Sequence, residues 1–130
     1  EVPALPSFKI HKYVSDKLRD QKLDYRTGVV YTTNRRVWEY DEDFKKYLRK
    51  VRVIGIDMET ATIFVVGFAN GIERGALLLV SDTPMTPEGV KTSESDSKVT
   101  QKFVELQLDL GIEAMSHIGS EGEQIKHFTY

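Results

Sequence analysis

From Ser7 onward apolar residues recur at four-residue spacing. Ile10, Val14 and Leu18 are separated by Lys, Asp and Arg, and this predicts an amphipathic helix entered through the turn residues Pro3 and Pro6. Asp24 to Tyr31 reads as a strand, because Val29, Val30 and Tyr31 give it β-branched and aromatic character. Thr32 to Tyr40 is polar and reads as a loop. Asp41, Glu42 and Asp43 then crowd the start of a short helix through Val51, where negative charge favours the N-terminal end of the helix dipole. Its apolar stripe is Phe44, Tyr47, Leu48 and Val51.

A second strand is predicted over Val51 to Ile56, followed by a helix from Asp57 to Asn70 that stops at Asn70-Gly71. That helix is apolar nearly all round, which predicts burial on all sides. Gly75 to Val80 is a continuous apolar run and reads as a strand covered on both faces, as in a parallel sheet. Pro84 and Pro87 predict a rigid loop continuing through Ser97. A long amphipathic helix follows from Ser97 to Ile118, with Val99, Phe103, Leu106, Leu110 and Met115 inside. From Gly119 to Tyr130 the chain is a polar tail, expected to be mobile at its end.

Strands alternating with helices predict an α/β fold. Three strands cannot easily make a sheet covered on both sides, so the pieces read as part of a larger domain. The first residue, Glu1, is not a methionine, which suggests a processed chain or a piece of something longer.

Composition narrows the function. With 130 residues, 18 basic and 20 acidic, the net charge is −2. This argues against a nucleic-acid or anionic-membrane surface, since both need a basic excess. There are no cysteines, so disulfides and thiolate metal sites are ruled out. His11, His117 and His127 lack metal spacing, and Ser93 to Asp96 lacks the regular ligand spacing of a cation site, so no metal or cofactor is expected. No apolar run has the length of a membrane span and no signal-peptide pattern is seen; a cytoplasmic location is expected.

In open α/β sheets ligands sit outside the carboxyl ends of the strands. Two predicted strands end in carboxylates, one in Asp57-Met58-Glu59 and the other in Ser81-Asp82. For Asp57 the ordinary role, an N-cap of the following helix, is the better reading. From composition alone Asp82 is a turn residue after a strand. Glu59, a charge in the first turn of an apolar helix, needs a partner or a ligand, and the two readings weigh about equally. Thr32-Thr33-Asn34-Arg35-Arg36 gathers hydroxyl, amide and guanidinium groups suited to an anion, although adjacent arginines are more often solvated surface. Trp38 has the face to stack on a planar ligand, although filling a core is the commoner fate of a lone Trp.

These residues carry a resemblance. Ile56-Asp57-Met58-Glu59-Thr60-Ala61 is similar to the methionine-glutamate signature of the purine nucleoside and uridine phosphorylase superfamily, and Ser81-Asp82 to its catalytic serine-aspartate. Three further stretches narrow the resemblance to the AMP nucleosidases: Thr32 to Glu39, Gly75 to Asp82, and Pro84-Met85 with Pro87 to Thr92. The resemblance runs from Pro3 to about Ile118. It implies the C-terminal half of an α/β/α catalytic domain with a mixed central sheet over residues 1–118, and a tail over 119–130. Glycine-containing anion-binding segments and the water-positioning residue would lie upstream. It also implies a homo-oligomer, commonly a hexamer built from dimers.

By the same resemblance the activity is hydrolysis of AMP to adenine and ribose 5-phosphate. Asp82 would be the general acid at adenine N7, which requires it to hold a proton near neutral pH. Glu59 would accept hydrogen bonds from the ribose hydroxyls, Met58 would pack on the sugar face, and Ser81 accompanies Asp82. Val37 and Trp38 fall where the family covers the base. Arg35 or Arg36 is the candidate for the 5′-phosphate, on chemistry alone. The alternatives are a purine nucleoside phosphorylase and a non-catalytic nucleotide-binding or assembly module, and residues 1–130 alone are expected to show little or no turnover. Phosphorylases of this kind usually carry a basic residue soon after the serine-aspartate; here Thr83-Pro84-Met85 follows, which favours hydrolysis.

Overall fold

The first helix, α1 (Phe8–Asp20), buries Ile10 and Leu18 and half-buries Val14, the stripe its spacing predicts. It ends where Lys22 turns left-handed at φ 56°, with Leu23 N–H reaching back to the Leu18 carbonyl at 3.0 Å. This is a Schellman closure that satisfies otherwise unpaired carbonyls. The computed structural model from which these features come describes residues 4–86, 89 and 93–121, and of Val99 and several neighbours in the last helix only the backbone.

Two parallel strands follow, β1 (Val29–Thr32) and β2 (Val53–Asp57), with Tyr31 opposite Ile56 and Thr32 opposite Asp57. A parallel pair needs a crossover. It is made by a 3₁₀ turn, Trp38–Tyr40, and by α2 (Glu42–Lys50). Asp41 caps α2 by accepting the Phe44 N–H at 2.9 Å. Phe44 and Leu48 are buried, whereas Tyr47 and Val51 of the predicted stripe are exposed. Tyr31 meets Phe44 and Tyr47 edge-on at 5.6 and 6.0 Å between centroids, an offset geometry that suits the ring quadrupoles.

The strand expected over 24–31 forms only at its end, because its partner β2 has five residues and pairing begins where Val29 faces Val53. The expected loop 32–40 likewise contains the end of β1 and the 3₁₀ turn.

After β2, α3 (Thr60–Ala69) closes at Gly71 (φ 64°), with Ile72 N–H on the Gly67 carbonyl at 2.8 Å. The expectation that α3 is buried all round is not met. Phe64 and Gly67 are buried, but Ile63, Val66 and Phe68 are about half exposed or more. One flank packs toward the sheet, while on the other the Arg74 guanidinium lies 5.1 Å from the Phe68 ring centroid and Ile63 and Val66 stay largely open.

The run Gly75–Val80 forms no strand, which corrects the predicted third strand. Among the described residues no backbone hydrogen bond joins it to β1 or β2; helices hold it instead. Ser7 N–H donates to the Arg74 carbonyl at 2.7 Å and Arg74 N–H to Ser7 Oγ at 3.0 Å. At Gly75 an added Cβ would lie 2.3 Å from Ile10 Cγ2, so only glycine permits this approach to α1. Gln107 Nε2 then donates to the Leu77 carbonyl at 2.6 Å.

Gln107 lies on α4 (Ser93–Glu121), which starts four residues before the predicted Ser97 and runs past Ile118. Acidic and hydroxyl residues at 93–96, read as loop, are equally at home in a first helical turn. Leu110 and Ala114 are buried and Leu106 half-buried, but Phe103 and Met115 are not, and Val99 falls outside the described side chains. The contact with α1 is a narrow seam in which Tyr13 stacks on His117 at 4.1 Å and Lys17 pairs with Glu113. The polar tail from 122 onward lies outside the described residues. Alternating helices and a parallel pair of strands make the fold α/β, as expected; the mixed sheet is not represented among the described strands.

Leu48 has 1% of its surface exposed, so Leu48→Ala should lower the unfolding free energy of the intact protein by about 2–5 kcal/mol, read by denaturant titration.

Candidate active site

Parallel strands bring both carboxyl ends to one edge, and the register places Thr32 beside Asp57 there. Asp57 Oδ1 accepts the Thr32 hydroxyl at 2.6 Å. Its Oδ2 accepts the Thr60 N–H at 3.0 Å and the Thr60 hydroxyl as well. Thr32 Oγ1 in turn accepts the Ala61 N–H at 2.9 Å. The N-capping role read for Asp57 is therefore seen: two of the unpaired N–H groups at the start of α3 are taken up, one by each strand. Thr33 continues the link, donating its N–H to the Asp57 carbonyl at 2.9 Å while its buried hydroxyl accepts the Arg35 N–H at 3.0 Å.

Met58 and Glu59 span the gap between β2 and α3 and are exposed at this edge. Glu59 occupies the N-cap position with φ −129° and ψ −36° but caps no helical N–H. Its Oε2 accepts the Met58 N–H at 3.1 Å. Glu59 is exposed, and among the described residues its carboxylate makes no ion pair.

Beyond β1 the loop carries Arg35, Arg36, Val37 and Trp38. Arg35 is committed locally: Nη1 lies 3.2 Å from Asp41 Oδ2, and its guanidinium sits 4.7 Å from the Phe44 ring centroid. Arg36 is exposed, without an ion pair among the described residues. Val37 is 69% exposed and left-handed at φ 54°, a strained conformation for a β-branched residue. Half-buried Trp38 meets Phe44 edge-on at 6.2 Å.

Ser81 and Asp82 sit on the segment held by α1 and α4, and both are half-buried. Ser81 Oγ donates to Asp82 Oδ1 at 2.6 Å, while Oδ2 makes no hydrogen bond to the described residues. Met58 and Glu59 are thus grouped with the strand ends, and Val37 and Trp38 with α2, whereas Ser81 and Asp82 arrive on a separate support.

The Phosphorylase superfamily model matches residues 1–116. The chain belongs to the phosphorylase superfamily. Within this superfamily it is similar to the crystal structure of AMP nucleosidase from Bacteroides thetaiotaomicron VPI-5482, with a TM-score of 0.74 and 46% identity, covering 95% of this chain and 46% of that one. It is 30% identical to the AMP nucleosidase of Escherichia coli (strain K12), over 95% of this chain and 27% of the relative. A DeoD-type purine nucleoside phosphorylase of Clostridium novyi (strain NT) is 29% identical, over 82% of this chain and 45% of the relative. The chain therefore spans less than half the length of these superfamily relatives.

The sequence offers the Thr32 hydroxyl only as part of a cluster suited to an anion, whereas in the structure it is taken up by Asp57 and the Ala61 N–H. A threonine that ends one strand and an aspartate that ends the next are ordinary residues until the register sets them side by side. In the intact protein Asp57→Ala leaves two α3 donors and the Thr32 hydroxyl short of an acceptor, and should cost about 1–3 kcal/mol in urea titration; Asp57→Asn should cost less.

Proposed function

We propose that the protein hydrolyses the N-glycosidic bond of AMP, releasing adenine and ribose 5-phosphate. The observation that carries this reading is the likeness to AMP nucleosidase at 46% identity across 95% of the chain. Residues 1–118 then form the C-terminal half of a phosphorylase-like catalytic domain, completed by the rest of a longer polypeptide.

Breaking the C1′–N9 bond builds positive charge on the ribosyl ring and leaves the bonding pair on adenine. Asp82 protonates N7, so that the base departs neutral; general-acid help of this kind is worth roughly 10²–10⁴-fold. Ser81 occupies Oδ1 by hydrogen bonding, which leaves Oδ2 to carry the proton toward N7. Glu59 accepts hydrogen bonds from the ribose 2′- and 3′-hydroxyls, and its negative charge favours the cationic transition state. Met58 packs on the sugar face, and Val37 and Trp38 cover the base. Arg35 or Arg36 meets the 5′-phosphate, and of the two Arg36 is the one not already paired with Asp41. Water attacks C1′, and its proton passes to a residue supplied from outside this chain.

The reading extends to a cytoplasmic homo-oligomer, by resemblance a hexamer. Apolar side chains left open on α4 (Leu108, Ile112 and Met115) are compatible with such assembly, and no helix among the described residues is long and apolar enough to cross a membrane.

A phosphorylase is the second reading, favoured by the likeness to the DeoD-type enzymes. Full-length protein should release adenine and ribose 5-phosphate from AMP whether or not inorganic phosphate is present. Phosphate-dependent formation of ribose 1-phosphate from adenosine would overturn the hydrolase reading, and AMP binding without turnover would favour a non-catalytic module. Asp82→Asn should lower kcat by roughly 10²–10⁴-fold and leave AMP affinity within a few-fold, measured by steady-state kinetics and calorimetry.

A further inference from the structure

Met58 and Glu59 form a two-residue bridge, and the bridge is clamped at its foot. On one side Asp57 Oδ2 holds the Thr60 N–H at 3.0 Å, closing a small loop around the two residues. On the other, the Thr32 hydroxyl ties Asp57 Oδ1 (2.6 Å) to the Ala61 N–H (2.9 Å) from the neighbouring strand. Each group is thus used twice: Asp57 accepts from β1 and from α3, while Thr32 donates to Asp57 and accepts from α3. Glu59 has no comparable restraint of its own, since its carboxylate touches only the Met58 N–H. Where that carboxylate stands depends on the backbone at both ends of the bridge, and the clamp sets both ends.

We infer that Asp57 and Thr32 are positioning residues that hold the Glu59 carboxylate against the ribose 2′- and 3′-hydroxyls, and thereby set the preference for ribonucleotide over 2′-deoxyribonucleotide. The inference rests on the sugar-contact reading of Glu59. A clamp of hydrogen bonds to a charged carboxylate is stiffer than one between neutral groups. Misplacing a substrate-contacting group by about 1 Å costs up to roughly a hundredfold in rate. Both groups are half-buried and engaged in hydrogen bonds within the chain, so they act on the substrate through Glu59.

The test measures kcat/KM of the full-length protein for AMP and for 2′-deoxy-AMP. Thr32→Val keeps the β-branched shape but removes the hydroxyl, and should lower kcat/KM for AMP about tenfold more than for the deoxynucleotide. Thr32→Ser returns the hydroxyl and should restore the preference. A purely structural role would lower both substrates equally, and an unchanged ratio in Thr32→Val would overturn the inference. Glu59→Ala separates the two layers. Should it abolish the ratio while Thr32→Val preserves it, only the positioning role fails; should Glu59→Ala itself preserve the ratio, the sugar-contact reading fails and the inference with it. If Thr32→Val does not fold by circular dichroism, Asp57→Asn takes the same measurement with the same deciding outcomes.

Discussion

The register that sets Thr32 beside Asp57 is the constraint on which the candidate site depends. A helix that begins at the end of a strand presents N–H groups with no partner inside the helix. In α3 two of these are satisfied by side chains from the ends of two adjacent parallel strands, one acceptor from each. This works only because parallel pairing delivers both strand ends to the same edge. Once the aspartate is engaged in capping, the next acidic residue along, Glu59, is released to face outward. Two carboxylates two positions apart thus differ in their surroundings: Asp57 is taken up by hydrogen bonds to β1 and α3, and Glu59 is exposed.

Asp82 reaches its position by different physics. The apolar run that leads to it has no strand partner among the described residues, and its course is set by a hydrogen-bond pair with Ser7, by the close packing of Gly75 on Ile10, and by Gln107 of α4. The acid of the proposed reaction therefore depends on the α1–α4 pair, and the sugar contact on the sheet and α3. A change in the seam between α1 and α4, where Tyr13 stacks on His117, bears on Asp82 before it bears on Glu59.

Helices were legible wherever their signals were local. The four-residue spacing of Ile10, Val14 and Leu18, the acidic start at Asp41 and the Asn70-Gly71 stop each involve neighbours within a turn or two, and each appears in the structure. Burial was less legible. The uniformly apolar α3 and the half-apolar α4 both leave large side chains open, because a helix sequence states how much apolar surface exists and not what lies against it. The run Gly75–Val80 has the composition of a covered strand. Pairing, however, requires a neighbour with free backbone groups, and none stands beside it among the described residues.

By itself the sequence determined the residue chemistry at the strand ends: Asp57-Met58-Glu59 and Ser81-Asp82 are recognisable as a superfamily signature, and Asp57 as a cap, because these are matches of short contiguous stretches. Only the tertiary structure decided that Thr32 completes the cap of a helix 28 residues away in the chain (60 − 32), and that Arg35 is drawn to Asp41 while Arg36 is not. Those outcomes turn on register and on the path of a crossover. Both are set by packing between distant segments, and neither leaves a trace in local residue order.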